Sequence, residues 1–261
     1  MAETVLLTVN DGVARITLNR PEAGNTMDAT LAKGLYQAVS RVEADPSVRV
    51  VVLAGAGSGF SAGGDLRSFA GFGEGLPAHV RELTTYLHGA VQRLGALPAI
   101  VIAAVHGAAA GGGFSLAMGC DLVLAADSAK FVMAYTKIGL APDLGGTFYL
   151  PRLVGLRRAL ELALLNPVLT AQQAKEYGLV TEVVPEADLT AWVDALAAKL
   201  AAGPAHSYGV TKKLLRASWG AALESQLEAE SHAIAECSGT ADGKEGVAAF
   251  LEKRAPNFTG K

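Results

Sequence analysis

Cysteine is scarce: Cys120 and Cys237 are the only two in 261 residues, far too distant along the chain for a CxxC pair. That excludes a disulfide framework and a cysteine-based metal or redox centre, and it suits a reducing compartment, so a cytoplasmic protein is expected. Basic excess is missing too. Lys and Arg number 22 against 25 Asp and Glu, for a net charge of −3. No positive field gathers phosphate backbones, and nucleic acid is not an expected partner. The first ten residues carry Glu3 and have neither a basic stretch nor an apolar run, so no secretory signal is expected. One apolar stretch, Pro98 to Gly119, is about long enough to span a bilayer, but His106, Ser115 and repeated glycines interrupt it. It reads as a buried strand, a loop and a buried helix, with no membrane association.

What is present is apolar material, 51% of the chain, enough for one full core and an appendage. Val5–Asn10 and Val13–Asn19 are β-rich runs around Asp11-Gly12, which predicts a hairpin. Leu31, Leu35, Val39 and Val42 recur at helical spacing, and the continuous run Val48–Leu53 predicts a strand buried on both faces. A helix over 80–94, a strand over 100–105, a short helix from Gly112, and strands over 122–126 and 130–133 follow. Thr170 and Gln173 form a capping box, Gly178 ends that helix, and Val180–Val184 is the last strand. Beyond Asp188 only helices are predicted. The alternation gives an α/β fold with mostly parallel pairing, divided into a core over 1–195 and a helical region over 196–261.

Two glycine-rich turns follow the buried strands: Phe60-Ser61-Ala62-Gly63-Gly64-Asp65-Leu66 and Gly107-Ala108-Ala109-Ala110-Gly111-Gly112-Gly113. In parallel sheets, ligands bind beyond the carboxyl ends of strands, and glycine lets a backbone N–H approach them closely. Two such turns suit one oxyanion, although the same glycines also suit tight turns and close helix packing. Neither turn is a dinucleotide fingerprint or a phosphate loop ending in Gly-Lys-Ser/Thr. His79, His206 and His232 have no metal-ligand spacing, so no metal is expected.

At these turns the sequence resembles the enoyl-CoA hydratase/isomerase (crotonase) superfamily. The match runs through Asn19-Arg20-Pro21, both glycine turns, Asp121, Gly139 to Thr147, Ala174 to Val184 and Glu245 to Arg254. The resemblance implies a crotonase-like ββα superhelix, a C-terminal helical trimerisation region, and a homotrimer or dimer of trimers. It implies an acyl-CoA thioester substrate, with coenzyme A entering as part of that substrate and no separate cofactor. It places the oxyanion-hole amides on Gly64 and Gly112, with Ala62, Asp65, Leu66 and Gly111 around the substrate. Phe250 and Lys253 resemble tail residues that reach a neighbour's CoA. Glu22 stands where relatives often carry a basic residue.

The departures narrow the chemistry. Hydratases of this family use two glutamates at the positions of Ser115 and Tyr135, and neither side chain here is ionised near pH 7. Asp143 remains, in an apolar, Gly-rich segment expected to desolvate it and raise its pKa. At this position the family's enoyl-CoA isomerases and ring-epoxide isomerases of phenylacetyl-CoA degradation place their base, and 131–143 and the ending 258–261 resemble the latter. The family's 4-chlorobenzoyl-CoA dehalogenases place a nucleophile there, with a histidine base at the position of His88. An isomerase is expected first, then a dehalogenase-like hydrolase, a hydratase (lyase) with non-standard residues, and a non-catalytic CoA-binding protein. Pocket shape is expected from the loop over 68–77 with Phe72, Tyr86 and Tyr135.

Overall fold

The computed structural model describes residues 3–260; Met1, Ala2 and Lys261, parts of the terminal stretches read above, lie outside them. The hairpin forms as the Asp11-Gly12 turn requires. β1 (Val5–Asn10) pairs antiparallel with β2 (Val13–Leu18), and both turn residues have positive φ. Helix α1 (Ala29–Glu43) starts at Asp28, whose side chain accepts the Leu31 N–H, and it buries Leu31, Leu35, Val39 and Val42 as their spacing predicts. β3 (Val50–Gly55) has Val50 to Leu53 wholly inaccessible, consistent with cover on both faces.

After β3 come α2 (Leu66–Ala70) and α3 (Leu76–Ala96), then β4 (Ile100–Val105), β5 (Ala108–Ala110) and α4 (Gly112–Met118). Next are β6 (Leu122–Ala126), β7 (Lys130–Val132) and α5 (Gly146–Leu165), the last kinked at Gly155. β8 (Leu169–Thr170), α6 (Ala171–Glu176) and β9 (Glu182–Val184) complete the strands, and α7 (Leu189–Ala201), α8 (Ala205–Ala217), α9 (Leu223–Gly239) and α10 (Ala241–Leu251) end the chain. The Thr170–Gln173 capping box at α6 is present with both of its hydrogen bonds.

The strands divide into two sheets. One has six strands in the order β1-β2-β3-β4-β6-β9, parallel from β2 onward; the other has three, β5-β7-β8. Successive units β4-β5-α4 and β6-β7-α5 each give one strand to either sheet before a helix. This is the ββα superhelix. Of the second sheet, β7 forms where a strand is expected over 130–133, whereas β5 and β8 escape the sequence reading because they are three and two residues long and sit in a glycine turn and at a helix cap.

The expected boundary at 195 falls inside α7, which packs on β3, β4 and β6 and buries Val193, Ala197 and Ala201. A helix that covers the sheet belongs to the core. Its neighbour α8 is fixed to the core by charge. The Lys212 ammonium, 6% exposed, donates to Leu94 O at 3.2 Å and Ala99 O at 3.0 Å and pairs with Asp121 at 2.7 Å. Arg216 meets the other Asp121 oxygen at 2.9 Å. Such a buried cluster is costly to break, because loss of one partner strands a charge. By contrast α9 and α10 bury little, and Ile234 (73% exposed) and Phe250 (82%) stand in the open.

Candidate active site

Both glycine turns extend from the carboxyl ends of neighbouring parallel strands, β3 and β4, and backbone hydrogen bonds lace them together. Phe60 N donates to His106 O (2.9 Å), Ser61 N to Ala108 O (3.0 Å), and Ala110 N to Ser61 O (2.9 Å). The contact is so close that a side chain at Gly63 would place its Cβ 2.7 Å from Ala110 O and 3.0 Å from Gly112 N. Gly63 (φ +92°) and Gly111 (φ +50°, ψ −121°) also occupy backbone conformations that favour glycine.

This packing leaves two amides available. Met27 N donates to Gly63 O at 2.7 Å and Asp65 N donates to Met27 O at 3.2 Å, so the Gly64 N–H between them faces away from Met27. Gly112 opens α4, where the first N–H groups lack intrahelical acceptors. Among the described residues, neither amide has a hydrogen-bond acceptor, and both glycines line one cavity of about 440 Å³.

Asn25 holds the first turn in place. Fully buried, it donates to Ala56 O and Gly59 O, both at 2.8 Å, and accepts from Arg20 N (2.9 Å) and, at its own carbonyl, from Ser61 Oγ (2.8 Å). Sequence reasoning missed Asn25 and Met27. The available signal was Asn19-Arg20-Pro21, whose arginine reaches Asp65 at 3.0 Å.

Asp143 lines the same cavity. Gly146 N donates to Asp143 O at 2.9 Å, closing a turn whose central residues, Leu144 (φ +49°) and Gly145 (φ +79°), both have positive φ. Leucine rarely adopts that conformation. It persists because Leu144 is buried and its N–H donates to His88 Nε2 at 3.3 Å. Burial raises the Asp143 pKa above the ordinary carboxylate value, partly offset by a Tyr135 hydrogen bond and by His88. The Tyr135 hydroxyl donates to Asp143 Oδ1 at 2.5 Å and lies 3.1 Å from Ser115 Oγ, which is fully buried.

Of the predicted site residues, Ala62, Gly64, Leu66, Gly111, Gly112, Tyr135 and Asp143 line this cavity together, with Ser115 beneath Tyr135. Four lie apart. Asp65 caps α2 through Ser68 N and pairs with Arg20. His88 sits on the exposed side of α3, behind Leu144. Phe250 and Lys253 are exposed at the end of α10 and outside the cavity lining.

The expected pocket loop needs correction. Leu66, Phe69, Leu76, Pro77 and Val80 form the wall, whereas Phe72 stacks outward on His79 at 3.6 Å and Tyr86 packs edge-on to Tyr36. Phe72 lies in the link between α2 and α3, and Tyr86 lies on α3 away from the face of Val80, Leu83, Thr84 and Leu87 that lines the cavity. The remaining lining is apolar apart from Thr84, Tyr135 and Asp143, and it includes no Lys, Arg or His.

A cavity lined by two free backbone donors and a desolvated carboxylate can polarise a carbonyl and move a proton beside it. Comparison with known proteins agrees in kind. The chain is 43% identical, over all of both chains, to 1,2-epoxyphenylacetyl-CoA isomerase of Escherichia coli (strain K12). It is 38% identical to 4-chlorobenzoyl coenzyme A dehalogenase-2 of Arthrobacter sp, over 93% of this chain and 88% of that one. The crystal structure of an enoyl-CoA hydratase from Polaromonas sp. JS666 superposes with a TM-score of 0.92 at 33% identity, over 97% of this chain and 99% of that chain. With residues 8–261 matching the family description "Enoyl-CoA hydratase/isomerase" and its two-sheet spiral formed in full, the chain belongs to the enoyl-CoA hydratase/isomerase family of enzymes.

Proposed function

We propose that this enzyme is a CoA-thioester isomerase. The thioester carbonyl oxygen accepts the Gly64 and Gly112 N–H groups, and Asp143 carries the proton between two carbons of the acyl group. The Asp143 carboxylate removes a proton, and the C–H electron pair moves toward the carbonyl and leaves an enolate, whose negative oxygen the two amides hold. Asp143, now the acid, returns the proton at a different carbon and is regenerated. One carboxylate serves both steps, and its raised pKa brings it closer to the pH at which it must both accept and release a proton.

The observation that carries this reading is the trio around Asp143. Where a hydratase needs two carboxylates to orient water and deliver a proton, this site offers Ser115 and Tyr135 bonded to each other, and Tyr135 bonded to Asp143. The apolar, cation-free wall favours an uncharged hydrocarbon acyl group, such as an aryl or alkenyl chain, over one bearing a second carboxylate. The exposed apolar residues of α9 and α10 support a tail that packs on further copies of the chain.

Dehalogenase-like hydrolysis, with Asp143 as nucleophile and His88 as base, fits less well, because His88 is outside the cavity and its Nε2 accepts from Leu144 N–H. The test uses a 3-enoyl-CoA and an aryl-epoxide acyl-CoA in labelled water. Isomerisation predicts rearranged product, solvent deuterium in the acyl chain where exchange competes with return, and a loss of about 10²–10⁴-fold in kcat for Asp143→Asn with binding retained. Solvent ¹⁸O entering the Asp143 carboxylate would point to a covalent ester, and an Asn variant that turns over normally would remove Asp143 as the base.

A further inference from the structure

Asp143 has two oxygens but one proton to move, and the side chains around it treat those oxygens differently. Oδ1 accepts the Tyr135 hydroxyl at 2.5 Å, and no side chain is hydrogen-bonded to Oδ2 among the described residues. Tyr135 is itself held from below by Ser115, whose wholly buried Oγ lies 3.1 Å from the phenol oxygen. The single phenol proton points at Asp143, so Ser115 is the donor in that second contact, and the order runs Ser115 to Tyr135 to Asp143.

The backbone is bent on both sides of this bond. Ala134, just before Tyr135, has φ +60°, and Leu144, just after Asp143, has φ +49°. Each such non-glycine residue costs about 1–3 kcal/mol and persists only where the surroundings fix it. The bend at Leu144 is held by its burial and by His88, and the two bends together set the Tyr135 hydroxyl and Asp143 at hydrogen-bond distance.

We propose that Tyr135 is the positioning residue for Asp143: it occupies Oδ1 and fixes the carboxylate plane, leaving Oδ2 as the oxygen that takes and returns the substrate proton, with Ser115 locking the phenol rotor. The inference rests on the isomerase reading above. In each cycle the bond from substrate carbon to hydrogen breaks and an Oδ2–H bond forms, and then the reverse occurs at a second carbon; the Tyr135 proton never leaves. Burial, then the neighbouring Asp143 charge, raises the phenol pKa well above its ordinary value, which keeps that proton in place.

Asp143→Asn, Tyr135→Phe and Ser115→Ala are compared on whichever of the two CoA substrates the wild type turns over faster. Asp143→Asn decides the base by itself. Given an inactive Asn variant, Tyr135→Phe is expected to lower kcat by about ten- to a hundredfold with KM within about twofold, since misplacement of a reacting group acts on the chemical step. It also moves the acid limb of the kcat/KM–pH profile upward, because the bond lost favours the charged carboxylate. Ser115→Ala shifts kcat and the limb in the same directions by less. It serves as the deciding variant if thermal melts show that Tyr135→Phe does not fold. A wild-type acid limb in the folded variant, or a loss confined to KM, overturns the positioning role while leaving Asp143 as the base.

Discussion

Replacing Gly63 by alanine tests how the two turns build the oxyanion hole, and its effect follows from backbone geometry. An alanine there adopts φ +92° and sets its Cβ 2.7 Å from Ala110 O and 3.0 Å from Gly112 N. Neither atom can swing aside as a side chain would. Ala110 N is bonded to Ser61 O and Gly111 N to Val132 O, at 2.9 and 3.0 Å, so relief requires the start of α4 to shift as a unit. Backbone strain of about 1–3 kcal/mol together with overpacking gives an expected stability loss of about 2–4 kcal/mol. The shift moves one oxyanion donor, for which a loss of about 10²–10³-fold in kcat is expected. Urea unfolding reads the first quantity and steady-state turnover the second, and the infrared carbonyl band of a bound, unreactive acyl-CoA reports directly on polarisation. Gly178→Ala is the control. It has φ +76° with its nearest neighbour, Leu153 O, 3.9 Å away, so it carries only the left-handed strain of about 1–2 kcal/mol and leaves turnover alone. Near-normal turnover and an unshifted carbonyl band in a folded Gly63→Ala protein would refute the assignment of the Gly112 amide to the oxyanion.

Asp143→Asn has a second consequence, in stability. Burial raises the folded-state pKa of this carboxyl above its unfolded value, so the native state keeps a proton that the unfolded chain releases. Stability is therefore lost as pH rises from the ordinary Asp range, about 4, through the folded-state value. The uncharged variant escapes that loss, so its melting temperature should exceed the wild type's at pH 8 and the gap should close by about pH 4; a less stable variant at pH 8 would contradict the desolvation argument. For the tail, light scattering should give the wild type a mass that is a multiple of the 26.8 kDa chain, and Ile234→Glu with Phe250→Glu should reduce it toward a single chain. A wild type that is monomeric at micromolar concentration would remove the assembly reading.

Much of this protein is legible in its sequence. Leu31, Leu35, Val39 and Val42 fixed the buried face of α1, the run read over 48–53 marked a strand covered on both sides, which forms from Val50, and Thr170 with Gln173 marked the start of α6. These signals are local, because helix period, strand burial and caps are written within a few residues. The glycine turns and Asp143 were legible as candidates for a related reason, since few residue types suit a close backbone approach or a lone carboxylate in an apolar segment.

Tertiary structure decided what depends on partners distant in the chain. β5 and β8 are too short to carry a period of their own and exist only because they pair with β7, the one strand of that sheet expected from the sequence. The boundary expected at 195 cuts through α7, because an apolar helix face looks the same in sequence whether it meets a sheet or another helix. Phe72, plausible by position, lies between α2 and α3 and stacks on His79, and His88 accepts the Leu144 amide without lining the cavity. The two turns around Gly64 and Gly112 were visible as glycines, but only the hydrogen bonds of Met27, Ser61 and Ala110 aim their amides into one cavity. Residues eight and twenty positions from Tyr135 become its hydrogen-bond partners through the fold of the 134–146 segment against α4. Sequence determined which groups were available to this enzyme; packing determined which of them face the same point in space, because direction and distance between remote side chains are set by the backbone path between them.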